Sequence, residues 1–240
     1  MRRIIALLRT SVGRKVLTAV TGFLLIGFLL VHLFGNLYVF QGQEALNAYA
    51  AWLQANPILW PARIGLAATF GLHVWLALSL AWDNRSARPH RYRDGLSQPF
   101  STVPSRSMAL TGLLVLAFVV FHLAHFTFGA VLPEAHAMVD SKGRHDVYGM
   151  VIAGFRNPWI TASYVVAMTL LGVHLAHAGQ SFLQTLGVRY EYANRLVKNL
   201  GLGLVAAITV GNLALPVLVF LGFAGSSEAT SVAAAAAGAP

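Results

Sequence analysis

The chain of 240 residues contains nine histidines, and six of them fall inside long apolar runs: His32, His73, His122, His125, His174 and His177. An imidazole in hydrocarbon is poorly solvated, so its presence there asks for a partner. The neutral ring can bridge two helices by a hydrogen bond, relay a proton, or give a nitrogen lone pair to a metal. A single such histidine is accounted for by an interhelical hydrogen bond. Four successive apolar stretches that each carry one are not, because ionisable groups at membrane depth are rare and usually functional. His122 and His125 stand three residues apart, as do His174 and His177. Within each pair the two rings share a helix face and differ by about 4.5 Å in height. Geometry alone does not choose between them.

The elements that must position these rings are legible in the composition. The chain is 57% hydrophobic and only 10% charged, against about 25% charged in soluble domains. The expected fold class is therefore all-α, an integral membrane bundle. Five apolar runs reach the ~20 residues that a bilayer helix needs. They lie near residues 16–40, 58–82, 108–132, 158–186 and 199–223. Asn56-Pro57 and Asn157-Pro158 mark the starts of the second and fourth, since proline suits a first helical turn. Trp60, Trp82 and Trp159 fall near span ends, as an interfacial aromatic belt requires. Residues 1–225 form one five-helix transmembrane domain in this reading, and 226–240 ("SSEATSVAAAAAGAP") a low-complexity tail. No cleavable leader is expected, because the first run is too long for one.

The net charge of +9 belongs to the loops rather than to a nucleic-acid surface. Arg2, Arg3, Arg9, Arg14 and Lys15 precede the first span. Arg85, Arg88, Arg91, Arg93 and Arg106 lie between the second and third, and Arg189, Arg195 and Lys198 between the fourth and fifth. The opposite side holds only Arg63, Lys142, Arg144 and Arg156. The positive-inside bias puts the N-terminus in the cytoplasm and the C-terminus outside. There are no cysteines, which excludes disulfides, thioether-linked haem and cysteine-ligated iron–sulfur clusters.

Depth then sorts the histidines. At ~1.5 Å per residue, His32 lies about 24 Å along the first outward-running span and His122 about 21 Å along the third. The second and fourth spans run inward, and His73 and His174 lie about 22 Å and 24 Å along them. The result is two level pairs, His32 with His122 outside and His73 with His174 inside. An internal repeat gives the same pairing. "TGFLLIGFLLVHL" in the first span resembles "TGLLVLAFVVFHL" in the third, and "GLH" in the second resembles "GVH" in the fourth. Two facing imidazoles at one depth are the axial ligand set of bis-histidine haem b, whose flat macrocycle fits between helices. Two such pairs would bind two haem b groups and form an electron path across the bilayer. Zinc is disfavoured, because its usual cysteine or carboxylate ligands are missing from these runs.

Haem propionates need donors near the membrane edge. For the inner group Arg14, Lys15, Thr18 and Ser181 are candidates, and for the outer group Arg63 or Arg156. The spare histidine of each pair, His122 or His125 and His174 or His177, would hydrogen-bond a haem edge or a neighbouring helix. His90, His136 and His145 are expected to be exposed loop residues, with an outer quinone role open to His145 and Asp146. The quinone-binding residues cannot be placed from sequence.

Three stretches together resemble a known family. "SVGRKVLTAVTGFLLIGFLLVHLFGNL", "FHLAHFTF" and "DVYGMVIAGFRNPWITASYVVAMTLLGVHLAHAGQSFLQTLG" are similar to the cytochrome b membrane-anchor subunit of succinate:quinone oxidoreductases. The likeness is to the single-chain, five-helix, di-haem type found in succinate dehydrogenases and fumarate reductases. It covers roughly residues 11–223. The resemblance implies a tricarboxylic-acid-cycle and electron-transport role in a bacterial cytoplasmic membrane. A flavoprotein subunit and an iron–sulfur subunit would dock on the cytoplasmic face, with a quinone, menaquinone by this type, as electron acceptor in the lipid. It also implies ligands at His32, His73, His122 and His174, the first histidine of each HxxH, and leaves room for a homo-oligomer of the complex. One departure stands out. Some fumarate reductases of this type carry an acidic residue beside the fourth-helix ligand, linked to proton movement. Here Gly172 and Val173 precede His174.

Two other readings fit the same runs: the di-haem anchor of a formate dehydrogenase or nitrate reductase, and a haem-free transporter or structural membrane protein. The chain shows no dicarboxylate or flavin site of its own, so enzymatic activity would belong to the assembled complex.

Overall fold

The computed structural model describes residues 10–87, 103–185 and 195–225. The fold among them is all-helical, with a single isolated β-bridge between Val139 and His145. Helix α1 (Ser11–Asn36) starts where the Thr10 hydroxyl accepts from the Gly13 amide at 3.0 Å, satisfying one of the free first-turn donors. It tightens into a 3-10 turn (Leu37–Gln41), and Gly42, at φ +97°, reverses the chain into helix α2 (Gln43–Ala55). Helix α3 (Leu59–Ser86) follows Asn56-Pro57. Helix α4 (Val103–His122) runs into a π-helical turn, Leu123–Thr127. Two short helices follow, α5 (Pro133–His136) and α6 (Val147–Arg156). Helix α7 (Pro158–Thr185) opens on Pro158, and the Asn157 carboxamide accepts from the amides of Trp159 and Ile160. Helix α8 (Arg195–Phe220) contains the buried Pro216.

Five stretches are long and apolar enough to cross a membrane: Ser11–Gln41, Leu59–Ser86, Ser107–Thr127, Pro158–Gly179 and Asn199–Phe220. Each overlaps one of the five expected runs, with the bounds shifted at several ends. The third span ends at Thr127 rather than near residue 132. The π turn and Gly129, at φ +65°, redirect the backbone there, and a β-carbon at Gly129 would lie within 2.7 Å of the His136 side chain. The low-complexity tail and His90 lie outside the described residues.

Contacts divide the chain into two compact units. The first gathers residues up to Leu29, Trp60–Val115 and Leu170–Ala207. Its buried side chains include Leu76, Thr21, Thr111 and Leu175. The second gathers Leu30–Leu59, Leu116–Thr169 and the chain from Ile208 onward. Its core joins Val39, Leu46, Tyr148, Ile152, Phe155, Ile160, Tyr164, Leu215 and Val219. Close approach in this unit relies on small residues, as membrane helix packing does. A β-carbon at Gly211 would lie 2.7 Å from Leu33, and one at Gly35 would lie 2.9 Å from the Tyr49 hydroxyl.

The second unit also carries a polar latch that the apolar pattern does not announce. Asn47 of α2 is fully buried. Its amide donates to Asp140 at 3.2 Å and Asp146 at 2.8 Å, and its carbonyl accepts from the Tyr148 amide at 2.9 Å. Asp146 also caps α6 through the Gly149 amide, and Gln43 donates to it. Arg144 bridges Asp140 and Glu44, and Lys142 joins Glu44. Burial alone would raise the Asp140 carboxyl. The bonds from Arg144, the Lys142 amide and Asn47 outweigh it and hold that carboxyl well below the usual range. Arg144 and Lys142 likewise hold Glu44 low.

Candidate functional site

The four expected ring positions fall into the two units, one pair in each. In the second unit α1 brings His32 against His122 of α4, with ring centroids 5.8 Å apart and planes nearly perpendicular. Two imidazoles that share one metal from opposite sides, with bonds of about 2 Å, hold their rings about 6 Å apart. The observed spacing suits that reach. His122 is also set by Tyr164 of α7, whose hydroxyl lies 3.2 Å from the His122 Nδ1.

The same hydroxyl lies 3.1 Å from Nδ1 of His125. His125 is only 1% exposed, and its Nε2 has no hydrogen-bond partner. The reason is steric. Nε2 points at α6, where a β-carbon on Gly154 would be 2.9 Å away, and the Phe126 ring stands 4.0 Å off by centroid. Nδ1 of His125 is thereby tied to Tyr164 and its Nε2 is hemmed in by α6, whereas His122 is held at Nδ1. This separates two residues that sequence spacing left equivalent.

The first unit holds both His73 of α3 and His174 of α7. Each is met by a Thr-Gly dipeptide. The Thr21 hydroxyl of α1 lies 3.1 Å from Nδ1 of His73, and a β-carbon on Gly22 would lie 3.2 Å from its Cε1. The Thr111 hydroxyl of α4 lies 3.4 Å from Nδ1 of His174, and a β-carbon on Gly112 would lie 3.5 Å from its Cε1. His177 is half-buried one turn further along α7. Among the described residues no three His, Asp or Glu side chains converge on one point, so the donor sets are pairs. Each pair would supply two imidazole nitrogens to a bound group, and His73, His122 and His174 are oriented through Nδ1.

Four of the expected propionate donors, Arg14, Thr18, Arg63 and Arg156, have partners within the protein. The Arg14 guanidinium donates to Ser79 at 3.3 Å and forms an ion pair with Asp83, both on α3. The Thr18 hydroxyl donates to the Arg14 carbonyl at 2.8 Å. Lys15 is exposed. Ser181 lies on α7, but its side chain is outside the described residues. Arg63 stacks over Trp60, 5.3 Å from the ring centroid, and Arg156 donates to the Gly225 carbonyl. His136 and His145, expected to be exposed, are partly buried. Their rings lie 5.0 Å apart, and His145 Nε2 bonds the His136 carbonyl at 2.8 Å.

Sequence reasoning missed Tyr164, Gly154 and the hydroxyls of Thr21 and Thr111 as site residues. The repeated Thr-Gly was the available signal for the last two. Against known protein families, curated protein sequences and solved structures, the chain finds no match in any of the three comparisons. Fold and geometry define, among the described residues, an all-helical protein with five helices long and apolar enough to span a membrane, a facing His32–His122 pair, and His73 and His174 each met by a threonine of a neighbouring helix.

Proposed function

We propose that the chain is the di-haem b membrane anchor of a succinate:quinone oxidoreductase, multi-pass in a bacterial cytoplasmic membrane with its N-terminus inside. His32 and His122 hold one haem, and His73 and His174 the other. Flavoprotein and iron–sulfur subunits dock on the cytoplasmic face, and the anchor serves electron transfer between them and membrane menaquinone. When bound, each haem supplies a one-electron carrier. The observation that carries the reading is the paired geometry. Four helices deliver two pairs of imidazoles, with His32 and His122 at a spacing one shared iron can bridge. The motif resemblance supplies the particular complex.

The chain's residues do the rest of the work. Tyr164, Thr21 and Thr111 orient ring nitrogens, Gly22 and Gly112 leave room beside the inner rings, and the apolar helices exclude water. The test is a reduced-minus-oxidised spectrum of the purified protein together with a haem count. Two b-type haems are expected. His73→Ala and His174→Ala should remove the same one, and His32→Ala and His122→Ala the other. Absence of a b-type α-band in the wild type refutes the cytochrome. Co-purification of subunits other than a flavoprotein and an iron–sulfur protein refutes the succinate assignment.

A further inference from the structure

The Thr-Gly dipeptides do more than pack. The Thr21 hydroxyl has one proton, and it is within donating distance of the Leu17 carbonyl at 2.8 Å and the Thr18 carbonyl at 3.0 Å. Its oxygen is then left to accept from the His73 ring. Nδ1 of His73 therefore carries the proton, and Nε2 keeps its lone pair. Thr111 repeats the arrangement. Its hydroxyl is spent on the Ser107 carbonyl at 3.0 Å or the Met108 carbonyl at 3.2 Å, and its oxygen faces Nδ1 of His174. Both threonines are buried, so water does not compete.

The repeat explains why this occurs twice. Thr21 precedes His32, and Thr111 precedes His122, by the same eleven positions. Eleven residues are about three helical turns, so on each helix threonine and histidine project from one face. Each of α1 and α4 thus contributes a ring to one pair and a hydroxyl to the other. The glycine after each threonine admits the ring edge, which a side chain there would crowd.

We infer that Thr21 and Thr111 are the positioning residues of the inner pair, fixing His73 and His174 as Nδ1–H tautomers with Nε2 free to ligate. The inference rests on the haem reading above. A hydrogen-bond acceptor on the outer nitrogen raises the basicity of a ligating imidazole and sets its orientation. Loss of the acceptor weakens stabilisation of the ferric state. The test is a redox titration of both haem α-bands in the purified wild-type complex and in Thr21→Val, Thr111→Val and the corresponding serine variants, with low-temperature paramagnetic resonance of the oxidised haems. Each valine variant should move the midpoint potential of one haem, the same haem in both, to more positive values and change its largest g-value. Each serine variant should restore both readings. Unmoved potentials in a two-haem wild type overturn this inference and leave the cytochrome assignment standing. Shifts in different haems for the two valine variants, or serine failing to restore, also overturn it. A wild type without haem overturns the functional reading instead.

Discussion

Gly154→Ala is the sharpest small perturbation of the second unit. The added methyl would sit 2.8 Å from Cε1 and 2.9 Å from Nε2 of His125. Ordinary contact needs roughly 3.5 Å or more, so something must move by about half an ångström. The ring has little freedom to yield. His125 is fully buried, Phe126 lies 4.0 Å away by centroid, and Nδ1 is tied to Tyr164 at 3.1 Å. Overpacking of this kind costs about 1–3 kcal/mol. The displacement should also pass through the Tyr164 hydroxyl to His122, which shares it.

The assay is thermal unfolding of the purified full chain in detergent, run beside Gly27→Ala. A β-carbon at Gly27 meets nothing within 4 Å. Gly154→Ala should lower the unfolding midpoint by several degrees, and Gly27→Ala should leave it unchanged or raise it slightly. If haem is present, only the haem lost in His122→Ala should be perturbed. A Gly154→Ala protein as stable as wild type, with both haems unchanged, refutes the claim that His125 is wedged between α6 and Tyr164.

Two predictions concern the latch. Asn47→Ala removes three hydrogen bonds and leaves the buried Tyr148 amide without its acceptor, so it should weaken docking of α2 on α6 by about 1–3 kcal/mol. Hydrogen exchange at the Tyr148 amide and along α2 should quicken at least fivefold, while exchange in α3 stays as in wild type. The second concerns acid. Asp140 and Glu44 have folded-state pKa values below their ordinary ones, so their stabilisation is complete above the usual carboxylate range and is lost as pH falls through the depressed values. Protection of the latch should be flat above about pH 5 and decline below about pH 4. Asp140→Asn should lower the plateau and flatten the decline, and an unchanged profile in that variant would exclude Asp140 as the titrating group.

The five spans were legible because a membrane helix announces itself by length and composition, and the runs around His32, His73, His122 and His174 are nearly free of charge. The repeated Thr-Gly was visible too, but its task was not. That task depends on α1 meeting α3, and α4 meeting α7, which no local pattern encodes. The latch was invisible for a related reason. Asn47 looks like a surface residue on an alanine-rich stretch until Asp140 and Asp146, far along the chain, surround it. The end of the third span was misplaced because hydropathy continues to residue 132 while the backbone turns at Gly129. Arg14 read as a free donor because Asp83, its partner, lies on another helix.

The donor counting that, in the proposal above, sets the tautomers of His73 and His174 also bears on the orphaned nitrogen of His125. Tyr164 has one hydroxyl proton and faces two Nδ1 atoms, so it can donate to only one of them. For His122 to offer Nε2 to a metal, its own proton must sit on Nδ1 and be given to the phenol oxygen. The phenol proton can then go to Nδ1 of His125, with that ring's own proton on Nε2, the atom pressed toward Gly154 without an acceptor, or both rings donate to the phenol oxygen and the phenol proton is the one left over. The opposite arrangement would relieve His125 and disable His122, because Nε2 of His122 would then be protonated. A buried donor left unpaired is destabilising by about 1–3 kcal/mol. Either way one buried donor is left over, and ligation by His122 as proposed would carry that penalty. His73 and His174 avoid it, because each threonine discharges its proton to its own helix backbone.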